Sequence, residues 1–205
     1  MYSIFTDNYS IPIFNHEGVL PPYLENPTNF ENSPYKTYIG DIIYTFATSK
    51  QRCNILRGLI TLRDKLFRLG FSGFQWLGGS FVENISIRED REPNDIDVVN
   101  FVMHDIAEEY LVETLREHKI ITHFKSKNYY LCDSYFVDIS NDKRHKNISP
   151  LLYNKNIIDQ TRYWYGLFSH TRDNLWKGML EVDIPYSPRE IDFCLAMIDD
   201  LEDKL

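Results

Sequence analysis

The 205-residue chain lacks the features that assign a protein to an extracellular, membrane-embedded or fibrous class. It has only three cysteines, widely separated and without a CxxC spacing, which excludes a disulfide framework and a zinc ribbon. No apolar run approaches about 18 residues, and the N-terminus has no basic segment before an apolar stretch, so we expect neither a membrane span nor a signal peptide. Reduced thiols in a cytoplasmic protein are the simplest interpretation.

Basic residues are also in the minority, since 22 Lys and Arg face 30 Asp and Glu and give a formal net charge of −8. This balance argues against a protein that coats nucleic acid through bulk charge, although it leaves room for a local basic groove. Aromatic residues, in contrast, are abundant, with 14 Tyr, 13 Phe and 3 Trp. So many rings predict a generous core and an aromatic surface for a ligand or partner.

Hydrophobic periodicity predicts an α/β (α+β) protein in which a mixed β-sheet is packed by helices. We expect one domain over residues 1–205, with an irregular, proline-rich arm at 1–35, a core at 36–185 and a C-terminal helix at 186–205. Helices are predicted at residues 36–48, 50–69, 105–119, 150–168 and 187–203. Three or four strands are predicted, within residues 71–81, 95–102, 128–140 and 177–184.

The most informative stretch is LGGSFVENISIREDREPNDIDVV, at residues 77–99. A strand delivers Gly79 and Ser80 into a turn, where glycine lets backbone N–H groups approach phosphate oxygens and the serine hydroxyl adds a donor. Asp95 and Asp97 then begin a second apolar strand, on which the two-residue period puts both carboxylates on one face. Such a pair forms a hard oxygen site that suits Mg²⁺ or Mn²⁺.

A metal site of this kind usually needs a third carboxylate, and the later strand offers two candidates. Asp138 shares a strand face with Ser134 and Phe136, whereas Asp133 lies on the other face with Tyr135. We therefore predict that Asp138 rather than Asp133 completes the site. Three carboxylates on two strands can hold two divalent ions, which would bind a triphosphate and lower the pKa of an attacking hydroxyl.

This combination resembles the nucleotidyltransferase superfamily, which has the DNA-polymerase-β-like fold. The shared motif is an apolar residue, Gly-Gly-Ser, a spacer and Asp-x-Asp between apolar residues, here with a slightly long spacer. More narrowly, the arm FNHEGVLPP, the motif GSFVE…PNDIDVV and the segment YWYGLFSHTRDNLWKGMLEVDI resemble a group of small bacterial nucleotidyltransferase-like proteins. The resemblance covers most of the chain.

The resemblance implies transfer of NMP from an NTP, with ATP as the expected substrate, to a hydroxyl of a protein or of a nucleic acid such as tRNA. It assigns Asp95, Asp97 and Asp138 to metal binding and catalysis with Mg²⁺ or Mn²⁺, and Gly79 and Ser80 to phosphate binding. Small bacterial members often belong to toxin–antitoxin or phage-defence systems. The expected partners are therefore an NTP and either a protein or tRNA, with no membrane partner.

Two charged segments near the motif have open interpretations. Lys143 and Arg144 follow Asp138 closely and would neutralise a triphosphate or a nucleic-acid backbone, but a solvated loop is the alternative. Residues 88–92 form a charged spacer before the Asp-x-Asp pair, either as a solvated loop or as a lid over the nucleotide. We include Lys143 and Arg144 among the predicted nucleotide-binding residues.

The aromatic segment at residues 163–168 also has two interpretations. Interleaved with Arg162, Arg172 and Lys177, it would stack a base and hold its phosphates, or most of its rings would pack in the core.

Two other functions compete with catalysis. The fold would serve as a catalytically weak or inactive protein-binding subunit or antitoxin, or it would bind nucleic acid without chemistry, which the net charge disfavours.

Overall fold

A computed structural model describes the chain at residues 11–26, 28, 32–140, 149–185 and 187–205. The helices are α1 (Ile39–Phe46), α2 (Lys50–Arg68), α3 (Ile85–Glu89), α4 (Glu108–Glu117), α5 (Ser126–Tyr130), α6 (Pro150–Phe168) and α7 (Pro188–Glu202). The strands are β1 (Tyr35–Lys36), β2 (Ser72–Gly78), β3 (Ile96–Met103), β4 (Cys132–Asp138) and β5 (Leu180–Asp183). No helix within these described ranges is long and apolar enough to cross a membrane.

The strands form one five-stranded sheet in the order β1-β5-β2-β3-β4. Strand β2 is antiparallel to β3 and β5, whereas the pairs β1–β5 and β3–β4 are parallel. The parallel β3–β4 pair requires a crossover connection, which contains α4 and α5. This mixed sheet with packed helices confirms the predicted α/β (α+β) class. The additional strand is β1, which has only two residues and therefore leaves no periodic pattern in the sequence.

Helix α2 begins and ends at the signals that the sequence contains. The Ser49 hydroxyl accepts a hydrogen bond of 3.3 Å from the Arg52 N–H and satisfies a donor that the first helical turn leaves free. Leu59 and Leu62 are fully buried on the face that points to the sheet, as the three-to-four residue spacing predicts. Gly70, with φ of +78°, takes the left-handed conformation that ends the helix.

The sheet has a separate hydrophobic cluster on each face. The larger cluster joins α1, α2 and α7 to alternate residues of the strands and is mostly aliphatic. The smaller cluster lies under α6, whose Trp164 and Phe168 pack with Trp76 and Phe101 of β2 and β3. The rings of Trp76 and Phe101 are 4.7 Å apart between centroids, in edge-to-face geometry. Part of the aromatic excess therefore forms the core of this second face.

Residues 128–131 differ from the prediction, because they are not part of a strand. Residues Ser126–Tyr130 form the short helix α5, and Leu131, with φ of +51°, separates it from β4. The strand prediction was wrong here because tyrosine and leucine fit a strand well by local preference, whereas tertiary packing decides. A Cβ at Gly58 of α2 would lie 1.8 Å from the Tyr130 carbonyl oxygen, so α2 and α5 touch backbone to backbone.

Candidate functional site

The end of β2 meets the beginnings of β3 and β4 on one side of the sheet. Gly78 pairs with Asp97 across the antiparallel β2–β3 ladder, and Asp97 pairs with Asp133 across the parallel β3–β4 ladder. These three residues therefore form one rung across three strands. The rung borders a cleft of about 610 Å³, whose lining includes Gly79, Ser80, Asp95, Asp97 and Asp133. The structure thus brings the predicted turn and the predicted Asp-x-Asp pair together.

The two glycines of the turn are required by close approach of other groups. A Cβ at Gly79 would lie 1.6 Å from Oδ2 of Asp97, and the φ of +71° is itself unfavourable for other residues. A Cβ at Gly78 would lie 2.5 Å from the ring of Phe168. The turn therefore sits directly against the Asp97 carboxylate on one side and against the aromatic core on the other.

Asp97 lies in an electrostatically unfavourable environment. Burial, followed by the negative charges of Asp95 and Asp133, raises the pKa of Asp97 to about 6, although Lys177 and Lys127 act in the opposite direction. A carboxylate with such a pKa is stabilised by any additional positive charge at the cleft. Asp97 and the two carboxylates that raise its pKa, Asp95 and Asp133, are therefore suited to hold a cation.

Lys127, from α5, supplies one positive charge to this cluster. Its ammonium forms an ion pair with Oδ2 of Asp95, and the hydrogen bond to Asp95 raises the pKa of Lys127 despite partial burial. The Lys127 side chain is 51% exposed, so it reaches the carboxylate from the solvent side. The helical segment that the strand prediction missed therefore carries a residue of the site.

Asp138, predicted as the third carboxylate, lies elsewhere. Asp138 lies five residues beyond Asp133 along β4, which corresponds to about 16 Å at the rise of a strand, and it pairs with Val102 of β3. Its Oδ2 is 3.3 Å from Nε2 of His104, and its Oδ1 accepts a 2.8 Å hydrogen bond from the Ser140 N–H. Burial alone would raise the pKa of Asp138, but these hydrogen bonds lower it to about 2.

Asp133 takes the position that was predicted for Asp138. In a parallel pair, residues of one rung project on the same side of the sheet, so Asp133 faces the cleft together with Asp97. The Thr122 hydroxyl donates to Oδ1 of Asp133 and fixes its orientation. The choice between the two aspartates depends on the β3–β4 register, and a two-residue period within one strand cannot reveal it.

The predicted basic residues fall into different places. Lys143 and Arg144 lie outside the described residues. Arg162 is on the exposed side of α6, where it faces Asp159, whereas Arg172 and Lys177 line the cleft. The charged spacer also contributes to the lining, through Glu89 and Arg91.

The aromatic segment at residues 163–168 is mainly structural. Trp164 and Phe168 are buried in the smaller cluster, with 7% and 4% exposure, whereas Tyr163 remains exposed. Gly166 and Leu167 line the cleft between these rings. The core interpretation of this segment therefore holds for two of its aromatic rings, while its last turn forms part of the cleft wall.

A divalent cation fits the chemistry of the cleft. Asp95, Asp97 and Asp133 offer the carboxylate oxygens that Mg²⁺ and Mn²⁺ prefer, and a cation there would offset the burial and the negative charges that raise the pKa of Asp97. In the part of the chain that the structure describes, no three His, Cys, Asp or Glu side chains are placed so that together they could hold a metal ion. In this structure Lys127 balances Asp95.

The fold and the cleft together define an α+β protein with a carboxylate cluster at one end of a mixed sheet. The chain belongs to the family DUF6932, described as a family of unknown function, whose model matches residues 12–183. The matched range contains every residue of the cleft described above. Comparisons with curated proteins and with solved structures give no match.

Proposed function

We propose that this protein is a Mg²⁺-dependent nucleotidyltransferase that transfers NMP from an NTP, ATP being the expected donor, to a hydroxyl of a protein or nucleic-acid acceptor. The observation that carries the proposal is the rung of Gly78, Asp97 and Asp133, which joins the Gly79–Ser80 turn to the carboxylate cluster. The motif residues and the additional carboxylate therefore share one cleft.

The charge distribution of the cleft supports a ligand that carries both a cation and phosphates. Its floor is acidic, and three basic side chains that reach the surface surround the floor within the same lining: Arg91, Lys127 and Arg172. A magnesium-bound triphosphate has the complementary arrangement, with a cation beside several anionic oxygens. The overall charge of −8 does not conflict with such a ligand, because binding requires only local positive charge.

Each group of residues has a distinct role in the proposed reaction. Asp95, Asp97 and Asp133 would hold the ion, which would supply charge neutralisation for the triphosphate and acidify the acceptor hydroxyl. The backbone N–H and hydroxyl of Ser80 would donate to phosphate oxygens. The acceptor oxygen would form a bond to the α-phosphorus, its proton would pass to an oxygen of Asp133, and the bond to pyrophosphate would break.

The experiment incubates the purified protein with α-labelled NTPs, Mg²⁺ and candidate protein and tRNA acceptors, and follows label transfer and pyrophosphate release. Asp133→Asn should reduce transfer by about 100-fold or more, because it removes a ligand and the proton acceptor. Asp138→Asn is the matched control on the same strand and should retain transfer. Absence of NTP binding in the presence of Mg²⁺, or full transfer by an Asp95→Ala, Asp97→Ala double variant, would contradict the proposal.

A second candidate function is a protein-binding subunit, as in an antitoxin or a phage-defence complex. Exposed large apolar side chains along α6 favour it: Leu151, Leu152, Ile158, Tyr163 and Leu167. Under this alternative, a triple Asn variant of the three cleft aspartates should bind a candidate partner from a neighbouring gene as well as the wild type does. Transfer of labelled NMP by the wild type would favour the first proposal instead.

A further inference from the structure

Beneath the Gly79–Ser80 turn lies a buried ion pair that the proposed reaction does not use. Lys177 and Glu83 are only 1% and 4% exposed, and the Lys177 ammonium contacts Oε1 of Glu83. Burying such a pair costs more free energy than its attraction commonly returns, so apolar residues of similar volume would often be neutral or stabilising there. Stability alone therefore does not explain why Lys177 and Glu83 are buried as an ion pair.

Lys177 also binds the backbone of the turn. Its Nζ donates a 2.8 Å hydrogen bond to the carbonyl oxygen of Gly79. Because a trans peptide is planar, its carbonyl and its N–H point in opposite directions, so the N–H of Ser80 points away from Lys177. Among the described residues, no acceptor is found for this N–H or for the Ser80 hydroxyl, and Ser80 lines the cleft.

A second buried cation fixes the rest of the turn in the same manner. The guanidinium of Arg52 donates to the carbonyl oxygens of Phe81 and Glu83, at 2.7 and 2.8 Å. The carbonyls of Gly79, Phe81 and Glu83 thus all accept hydrogen bonds from buried positive side chains. Backbone dipoles that are held in this way cost no reorganisation when an anion arrives.

The ion pair also extends to the rim of the cleft. The second carboxylate oxygen of Glu83 contacts Arg88, and Arg88 lies 3.3 Å from Asp173. Asp173 belongs to the loop whose ends are joined by the bridge between His170 and Trp176. The same chain of charges therefore joins the turn to the loop that presents Arg172 to the cleft.

From these contacts we infer that Lys177 is a positioning residue for phosphate, which directs the Ser80 N–H into the cleft by holding the Gly79 carbonyl. The inference rests on the proposed function, because it assigns the turn to phosphate binding. Lys177 itself does not contact the ligand, since Glu83 and the Gly79 carbonyl occupy two of its donor hydrogens and burial covers its ammonium. Burial lowers the pKa of Lys177, and Glu83 acts in the opposite direction and holds the ammonium in place.

The test compares three variants with the wild type: Lys177→Met, Lys177→Gln and the double variant Glu83→Gln, Lys177→Met. Isothermal titration measures the affinity for tripolyphosphate and for α,β-methylene-ATP, each with Mg²⁺, and thermal melting measures stability. Lys177→Met should weaken tripolyphosphate binding by about tenfold or more, because the turn loses its anchor. Lys177→Gln should recover part of the affinity, since an amide can still donate to the Gly79 carbonyl.

The double variant separates positioning from stability. Removing both charges should restore part of the melting temperature lost in Lys177→Met, because the buried Glu83 charge is removed together with that of Lys177 and Arg88 keeps Asp173 as a partner, while the affinity for tripolyphosphate stays low. Arg63→Met is the matched control, since Arg63 is equally buried and donates to the Asp183 carbonyl on the other face of the sheet. It should lower the melting temperature and leave the affinity of the folded protein unchanged.

The outcomes distinguish the two proposals. Wild-type affinity in the folded double variant would overturn the positioning role and leave the nucleotidyltransferase proposal intact. Tripolyphosphate binding that depends on Lys177, without any NMP transfer, would support positioning and contradict the proposed reaction. A wild type that binds neither tripolyphosphate nor the ATP analogue would overturn both.

Discussion

Strands β2, β3 and β4 carry two polar clusters that differ in every physical respect. In the middle of the sheet, on the α2 face, Arg63, Gln75, Asn100 and Ser134 are completely buried. Arg63 donates to Gln75 at 2.5 Å, Gln75 to Asn100 at 2.7 Å and Asn100 to Ser134 at 2.8 Å. Donors and acceptors alternate along this row, so it crosses three strands without repulsion between like groups.

The carboxylate cluster at the cleft has the opposite character. Asp97 and Asp133 form one rung of the sheet, and Asp95 precedes Asp97 by two residues, so three like charges lie close together. Burial and then the negative charges of Asp95 and Asp133 raise the pKa of Asp97. Lys127 balances them only in part and from the solvent side. The comparison teaches that buried polar side chains with hydrogen-bond partners stabilise the fold, whereas like charges that face a cleft indicate a binding site.

The largest effect should come from Asp97→Asn, which acts on the site and spares the fold. Transfer should fall by about 100-fold or more, because an amide is a poor ligand for a hard cation. The free energy of unfolding should rise at pH 7, since a carboxylate whose pKa is raised in the folded state destabilises that state when ionised. The wild type should gain this stability as the pH falls from 7 towards 4, and the variant should not.

Label transfer and urea unfolding at both pH values measure this prediction. Glu108→Gln, an exposed residue of α4, is the control for a simple change of net charge. A variant that loses both transfer and stability at pH 7 would place Asp97 with the structural row and remove the contrast between the two clusters.

Arg63→Met should have the opposite profile and the next largest effect. It leaves the carbonyl oxygens of Gln75 and Asp183 without their donor inside the core, at a cost of about 3 kcal/mol in the free energy of unfolding. Chemical denaturation measures this loss. Transfer per folded molecule should equal that of the wild type. Arg68→Met, which breaks the exposed pair with Asp64 on the same helix, should cost much less than Arg63→Met, because solvent screens that pair.

Local patterns predicted more of the fold than of the site. Helix α2 and strands β2 and β3 lie within a few residues of their predicted bounds, because their apolar periodicity is strong and their ends carry capping and glycine signals. Helix α5 was missed because five residues are too few for a periodic signal. Gly79, Ser80, Asp95 and Asp97 meet because they border two strands that pair as sequence neighbours.

The remaining site residues depend on contacts distant in sequence. Asp133 reaches the cleft through the register of a parallel crossover pair, which the packing of the whole sheet determines. Lys177 reaches Gly79 across 98 residues of sequence, and no local spacing indicates that contact. In the sequence, Asp133 is only an aspartate on the strand face that we did not favour. Lys177 is only a lysine near an aromatic segment.

Gly79→Ala should have an intermediate effect on both stability and ligand binding, because Gly79 lies directly against the Asp97 carboxylate. The added Cβ would collide with the Asp97 carboxylate, and the backbone, with φ of +71° and ψ of −165°, lies in a region that is essentially restricted to glycine and costs other residues about 1–3 kcal/mol. We expect a loss of this size in urea unfolding together with weaker binding of the magnesium-bound ATP analogue. Gly40→Ala is the control, because a Cβ there meets no atom within 4 Å and the position is helical. Unchanged binding in Gly79→Ala would mean that the turn does not shape the site.

The smallest effect tests whether Asp138 belongs to the fold rather than to the cleft. Its pKa is lowered to about 2 in the folded state, so its ionised form stabilises the protein above its ordinary pKa. That contribution should disappear as the pH falls from about 4 to about 2, at a cost of about 1 kcal/mol for a partly exposed group. The sign is opposite to that expected for Asp97, whose protonation stabilises the folded state.

Urea unfolding at pH 4 and pH 2 measures this prediction. Asp138→Asn should reduce the loss of unfolding free energy between these pH values. Asp159→Asn, in its solvent-accessible pair with Lys155, should change that loss less. If Asp138→Asn instead abolished transfer without changing the acid profile, Asp138 would return to the site that the sequence first suggested.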